Sequence, residues 1–187
     1  MKTTTAEALL GMLSLGPKSG YELKQAIEGS IGNFWHESFG QIYPTLKRLQ
    51  QDGLVKGTEG ERSGSTVYAL TEAGEKRLRD WLGVMPRPQV KRNELLLKLF
   101  FGNLRSVAEV REQIEDTRQR LAASLARYVA ISAEIRRVHQ GNPGLPFWLM
   151  TVRYGEAEAR ALLGWCDECL ELLGQMGSTE VTQEAGR

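Results

Sequence analysis

The amino-acid sequence predicts a mainly α protein, with an N-terminal winged helix-turn-helix over residues 1–84 and a C-terminal helical, coiled-coil-like dimerisation domain over residues 85–176. Three observations lead there. In the first half, three capped apolar segments, a pair of strand-like runs and a fourth capped segment follow one another. A proline-containing stretch, "GVMPRPQ" from Gly83, then breaks the pattern and reads as a linker. Beyond it, apolar residues recur at alternating steps of three and four over long segments, the rhythm of paired helices.

The first helix opens at "TTAE", where Thr4 is placed to cap and Glu7 to reach back to it, ahead of Leu9, Leu10, Met12 and Leu13. "GPK" at 16–18 ends it. The device repeats in "SGYE", with Ser19 as cap, Glu22 three residues on, and Leu23, Ala26 and Ile27 as the apolar face; Gly29, Gly32 and Asn33 then break the helix. The third helix lies in "SFGQIYPTLKRLQQDGLV" from Ser38. Ile42, Leu46 and Leu49 make its buried stripe, while Gln41, Tyr43, Thr45, Lys47 and Arg48 are expected to point elsewhere. Pro44 cannot donate to the carbonyl of Gly40, so the helix is expected to start near 38–41, with the proline around its first turn. Asp52-Gly53 supplies a left-handed stop.

"GLVKGT" and "STVYAL", joined by the polar "EGERSG", read as a hairpin, and Thr71 caps a fourth helix through Trp81-Leu82. After the linker, "VKRNELLLKLFFGNL" makes a compact apolar helix ended at Gly102-Asn103. Ser106 and Glu109 form another capping box, opening a helix to about His139 with a heptad seam at positions 107, 110, 114, 117, 121, 124, 128, 131, 135 and 138. "HQGNPGLP" turns the chain back into a last helix from about Phe147 to Leu173. The two helices are able to pair as an antiparallel hairpin, leaving further apolar faces, including Tyr128 and Trp165, for a second subunit or a ligand. Residues 177–187 are expected to be a flexible tail.

Composition removes several functions. No apolar run approaches the ~20 residues of a membrane span, and the N-terminus lacks the charged-then-apolar layout of a signal peptide, so a cytoplasmic protein without membrane contact is expected. Cys166 and Cys169 stand three apart, and neither histidine, His36 or His139, has ligand-like spacing to them; this favours small residues on a packed helix over a metal site. No Ser-His-acid set, phosphate loop or dinucleotide fingerprint is present, so neither an enzyme nor a cofactor is expected. Residues 1–84 hold ten Lys+Arg against ten Asp+Glu and residues 85–187 hold fourteen against thirteen, so a case for DNA rests on placement and not on net charge.

Placement favours DNA. On the third helix, Gln41 has the groups to pair with adenine, Tyr43 and Thr45 suit phosphate or a thymine methyl, and Lys47 and Arg48 suit phosphate or guanine, with Ser38, Gly40 and Pro44 shaping the start. Lys18, Ser19 and Tyr21 stand at the N-terminus of the second helix, where free amides favour phosphate, and the hairpin tip adds Arg62, Ser63 and Ser65. Each of these alone fits a solvated face; their joint occurrence with three helices and a wing does not. Val110, Ile114, Leu121, Tyr128, Ile131 and Ile135, with Leu162 and Leu170, are the expected dimer contacts. Trp148, Trp165, Tyr128 and Phe147 are the candidate effector-contacting aromatics, although aromatics at this spacing are more often core.

The stretches "ALLGMLSLGPKSGYEL", "FGQIYPTLKRLQQDGLV" and "YALTEAGEKRLRDWL" resemble the PadR family of bacterial transcriptional regulators, and "RNELLLKLFFGNL" with "FWLMTVRYGEAEARALLGWCDECLELL" resembles the long C-terminal helical domain of its larger subgroup. The resemblance covers about residues 4–174. It implies a homodimer with interlocked C-terminal helices that presents two winged domains to a pseudo-palindromic operator, and repression relieved by a small aromatic, for instance phenolic, effector near the domain junction or dimer interface. One departure is the wing "EGERSGSTVY", where Arg62 stands between Glu59, Glu61 and neutral residues; weak wing contacts are the consequence expected. The rival expectation is a protein-interaction adaptor that uses the winged domain and the heptad helices without specific DNA binding.

Overall fold

The computed structural model describes residues 4–60, 64–88 and 92–184, with side chains as far as residue 176. The chain divides into two compact units, Met1–Gln89 and Val90–Arg187. Among the described residues no helix is long and apolar enough to cross a membrane.

The first unit runs α1 (Thr5–Leu13), β1 (Lys18–Ser19), α2 (Gly20–Ser30), α3 (Phe39–Gln51), β2 (Val55–Glu59), β3 (Thr66–Leu70) and α4 (Glu72–Leu82). Leu9 and Leu10 of α1, Leu23 and Ile27 of α2 and Ile42, Leu46 and Leu49 of α3 meet in one core that Val55 and Leu78 complete. The β2–β3 hairpin pairs Val55 with Leu70 through Glu59 with Thr66, and β1 adds a third strand beside β3, with Lys18 opposite Tyr68. Two residues carry no sequence period, so β1 is visible only in the structure.

Local chemistry sets the helix ends. At α2 the Ser19 Oγ accepts from the Glu22 N–H, while the Ser19 N–H donates to the Glu22 carboxylate at 2.7 Å. Gly53 closes α3 at φ 71°, and the Leu54 N–H donates to the Leu49 carbonyl at 2.8 Å. Thr71 ties α4 to that corner: its Oγ1 accepts from the Gly74 N–H at 3.1 Å and donates to the Gly53 carbonyl at 2.7 Å.

Three expectations for this unit are corrected. Thr4 makes no side-chain cap; Glu7 instead turns inward, where its buried carboxylate accepts from Arg77 of α4 at 2.8 Å. An ion pair across 70 positions outcompetes the local cap because the inward-facing carboxylate needs a partner. Thr45 is buried on α3, since it lies three residues after Ile42 and four before Leu49 and so falls on the core stripe. Pro44 is the sixth residue of α3 and not part of its first turn. The carbonyl it leaves unbonded belongs to Gly40, which is solvent-exposed and so open to water.

In the second unit α5 (Glu94–Phe100) is capped by Asn93 and followed by a 3₁₀ turn (Gly102–Leu104), then α6 (Val107–Val138) and α7 (Leu145–Glu184). The Ser106–Glu109 capping box is present. Antiparallel register between α6 and α7 is marked along their length: the His139 ring meets Trp148 edge-on at 5.0 Å, Tyr128 lies over Gly155, and Arg118 Nε donates to Asp167 at 2.6 Å. α7 runs on to Glu184, where the sequence suggests an end near Leu173 and a flexible tail. Gly174 and Gly177 are single glycines with no proline beyond them, and each costs a helix only about 1 kcal/mol relative to alanine.

Candidate nucleic-acid interface

The outer face of α3 follows from its buried one. With Ile42, Thr45, Leu46 and Leu49 inward, helical geometry puts Gly40, Pro44 and Lys47 directly opposite, flanked by Tyr43 and Arg48. Gly40 and Pro44 present little side chain there, so another surface can approach the helix barrel closely. α3 carries no carboxylate, whereas α1, α2 and α4 all do. Lys47 and Arg48 are exposed, and among the described residues neither forms an ion pair.

An aromatic terrace joins α2 to α3. Tyr21, Phe39 and Tyr43 stack in sequence, with ring centroids 6.3 Å and 6.0 Å apart and planes within about 20° of parallel. Lys24 Nζ lies 4.6 Å from the centre of the Phe39 ring and 2.7 Å from Glu28. Tyr43 owes its position to Gly20: a Cβ there would stand 2.5 Å from the ring. Phe39 and Lys24 are absent from the sequence-derived candidates, although the Phe39–Tyr43 spacing of four residues marks an aromatic pair on one helix face.

Several predicted donors are already engaged. Gln41 Oε1 accepts from both the N–H and the hydroxyl of Ser38, at 3.1 and 3.0 Å, so the two residues cap α3. A bidentate contact to adenine needs that oxygen as acceptor, and Gln41 makes one only by giving up the cap. At α2 the Glu22 carboxylate occupies the N-terminal amide of Ser19 that a phosphate would take, and Lys18 Nζ folds back on the Gly16 carbonyl at 3.1 Å. Tyr21 stays half exposed, its hydroxyl accepting from Gln25 at 3.0 Å. At the hairpin end Ser65 accepts the Gly60 N–H through its carbonyl at 2.9 Å, while Arg62 and Ser63 lie outside the described residues.

The C-terminal candidates separate. Ile114 is fully buried within one chain and so is corrected as a dimer contact; Tyr128 covers Gly155 of its own chain, 2.6 Å from where a Cβ would stand, and is half-buried there. A heptad seam does not say which helix fills it. Val110, Leu121, Ile131 and Ile135 on the same seam are half-buried, as is Leu170, and Leu162 is 39% exposed. The four aromatics do not form one pocket: Trp148 and Trp165 are separated by roughly 25 Å along α7, Phe147 is exposed, and Tyr128 is committed to Gly155. A cleft of about 460 Å³ lies elsewhere in this unit, between α5, the 3₁₀ turn and α6, with Leu97, Leu99, Phe101, Leu104 and Val110 in its walls and Lys98 and Arg105 at its polar edge. Burial pushes the Cys166 and Cys169 thiols up, which suits packing and not thiolate chemistry.

Comparison with known proteins matches both units. The model of the PadR-like transcriptional regulator family fits residues 9–80, and that of the virulence activator alpha C-terminal region fits residues 91–174. The chain belongs to the PadR family of transcriptional regulators. This PadR-family chain is 28% identical to the negative transcriptional regulator PadR of Bacillus subtilis, over 89% of its own length and 95% of the relative's. The crystal structure of that relative with operator DNA superposes with a TM-score of 0.80 at 24% identity, covering 91% of this chain and 99% of the other. A structure of the same relative with p-coumaric acid gives 0.76 at 23% identity, covering 93% and 99%. The Vibrio cholerae virulence activator AphA gives 0.74 at 26% identity, covering 92% and 99%. Membership makes the chain a transcriptional regulator and not an enzyme.

Proposed function

We propose that this PadR-family regulator acts in the cytoplasm as a homodimeric repressor, holding a pseudo-palindromic operator through its two α3 helices and releasing it when a small aromatic effector binds. The observation that carries the reading is the outer face of α3: free of carboxylates, low at Gly40 and Pro44, and bearing Tyr43, Lys47 and Arg48. In the major groove such a face meets phosphates on its flanks and base edges beneath. With Lys18 folded back and Glu22 at the α2 amide, most of the cationic contact falls to α3.

Dimerisation is supported by α5, in which no residue is buried and Phe100 is 81% exposed, and by Phe147, Met150 and Tyr154, exposed on one face of α7. Apolar surface of this kind is normally covered by a partner. The groove beside α5 is open, with Leu97, Phe101 and Leu104 exposed along it, and is the place in this unit where a compact effector could lie once a partner covers α5. Repression accords with the named role of the B. subtilis relative; the AphA likeness favours activation as the second reading.

The decisive test is a mobility shift with the DNA upstream of the protein's own gene, at several salt concentrations, against random competitor. Specific, salt-sensitive retention is expected; binding to no sequence, at that region or in a selection from random DNA, would favour the adaptor reading. An effector, sought by tryptophan fluorescence, is expected to bind more weakly when operator is present, because coupling between two sites is reciprocal. Gly20→Ala tests the terrace: displacing Tyr43 is expected to weaken operator binding by about fivefold, with the thermal transition little moved. Unchanged affinity would remove Tyr43 from the interface.

A further inference from the structure

Phe39 is the middle ring of the terrace, yet part of it stays open to solvent. It is the first residue of α3, outside the core, and 39% of its surface is open to solvent. Tyr21 and Tyr43 hold the ring from either side, and Lys24 lies over it. An aromatic side chain has only two torsions to fix, so these contacts leave it ordered before any partner arrives. Beside it, Ser38 donates twice to the Gln41 side-chain oxygen, which leaves Gln41 only its amide N–H groups to offer a base. The first turn of α3 therefore presents the apolar edge of a ring beside an amide that can only donate.

The floor of the major groove offers one apolar feature to such an edge, the 5-methyl group of thymine. We propose that Phe39 is a specificity-determining residue that selects a thymine in each operator half-site through its methyl group, on a terrace built by Tyr21 and Tyr43. The inference rests on the reading of α3 as the DNA-recognition helix and adds a base to it. Lys24, between Glu28 and the ring, keeps a cation close to the contact without hydrogen-bonding to a base.

Deoxyuridine tests this directly, because it removes the methyl and leaves every hydrogen-bonding group of the base in place. Sites would first be selected from a random DNA library with the wild-type protein, then each thymine replaced singly by deoxyuridine and titrated against wild type and Phe39→Ala. The wild type is expected to lose about fourfold at one thymine per half-site, the value of one methyl group moved out of an apolar contact. Phe39→Ala is expected to bind the thymine and uracil versions of that position equally. Because the readout is a ratio measured on one protein, an overall loss of affinity in the variant does not obscure it. Specific sites with no uracil-sensitive position, or the same sensitivity in Phe39→Ala, would overturn the role of Phe39 and leave α3 as the recognition helix. Failure of the wild type to select any sequence would overturn both.

Discussion

Gly74→Ala is expected to destabilise the winged unit by about 2–4 kcal/mol, moving its thermal transition down by on the order of 10 °C. A Cβ on Gly74 would fall inside the carbonyl oxygen of Leu54, with Leu70 Cδ2 only 3.1 Å away. That carbonyl cannot step aside, because it accepts from the Thr71 N–H at 3.2 Å and follows the left-handed turn at Gly53. The added methyl must therefore lift the start of α4 from the α3–β2 corner, breaking the Thr71 hydroxyl bridge and pulling Leu78 out of the core. Gly11→Ala is the control: nothing lies within 4 Å of its added Cβ, and a helical alanine is expected to stabilise by about 0.5–1 kcal/mol. Thermal melts of the two variants beside the wild type check the pair, and a neutral Gly74→Ala would contradict the packing of α4 against the α3–β2 corner.

Ile114→Asp is the second large effect. Its side chain has no solvent exposure within the second unit, so a carboxylate there is taken from water without a partner, at a cost of at least about 3 kcal/mol. Helical content in the second unit is expected to melt at lower temperature and denaturant, with the winged unit's transition less affected. Leu162→Asp separates this from assembly. At 39% exposed it is expected to keep the helical signal while shifting sedimentation from dimer to monomer. If Ile114→Asp stayed fully folded and only dissociated a dimer, the seam of α6 would be filled by a second chain and not by α7.

Which features are legible in the sequence depends on how far each signal reaches. Capping boxes at Ser19 and Ser106 and the Gly53 stop involve residues within a few positions of one another, and the structure holds each as expected. Glu7 shows the limit: its spacing to Thr4 is that of a cap, yet its partner is Arg77, which no local pattern could supply. Thr45 has the polar chemistry of an outer face, but its angle on the helix, set by Ile42 and Leu49, takes it inward. Gln41 presents two valid uses, cap and base contact, and only coordinates show the oxygen already occupied. On α6 the heptad rhythm is plain, but the opposing partner of Tyr128 is a glycine, Gly155, whose lack of a side chain makes room for the ring and leaves no apolar signal of its own.

If α3 grips DNA with Lys47 and Arg48, the most direct measurement of that grip is the salt dependence of operator binding for wild type and the Lys47→Ala/Arg48→Ala double variant. Removing a cation from one phosphate lowers the slope of log affinity against log salt by close to one unit. The double variant is predicted to have a slope shallower by about two per protomer at most and an affinity lower by at least about tenfold near 0.1 M salt, with oligomeric state unchanged. An identical slope and affinity in the double variant would contradict the role given to α3, and the DNA-reading surface would then lie elsewhere.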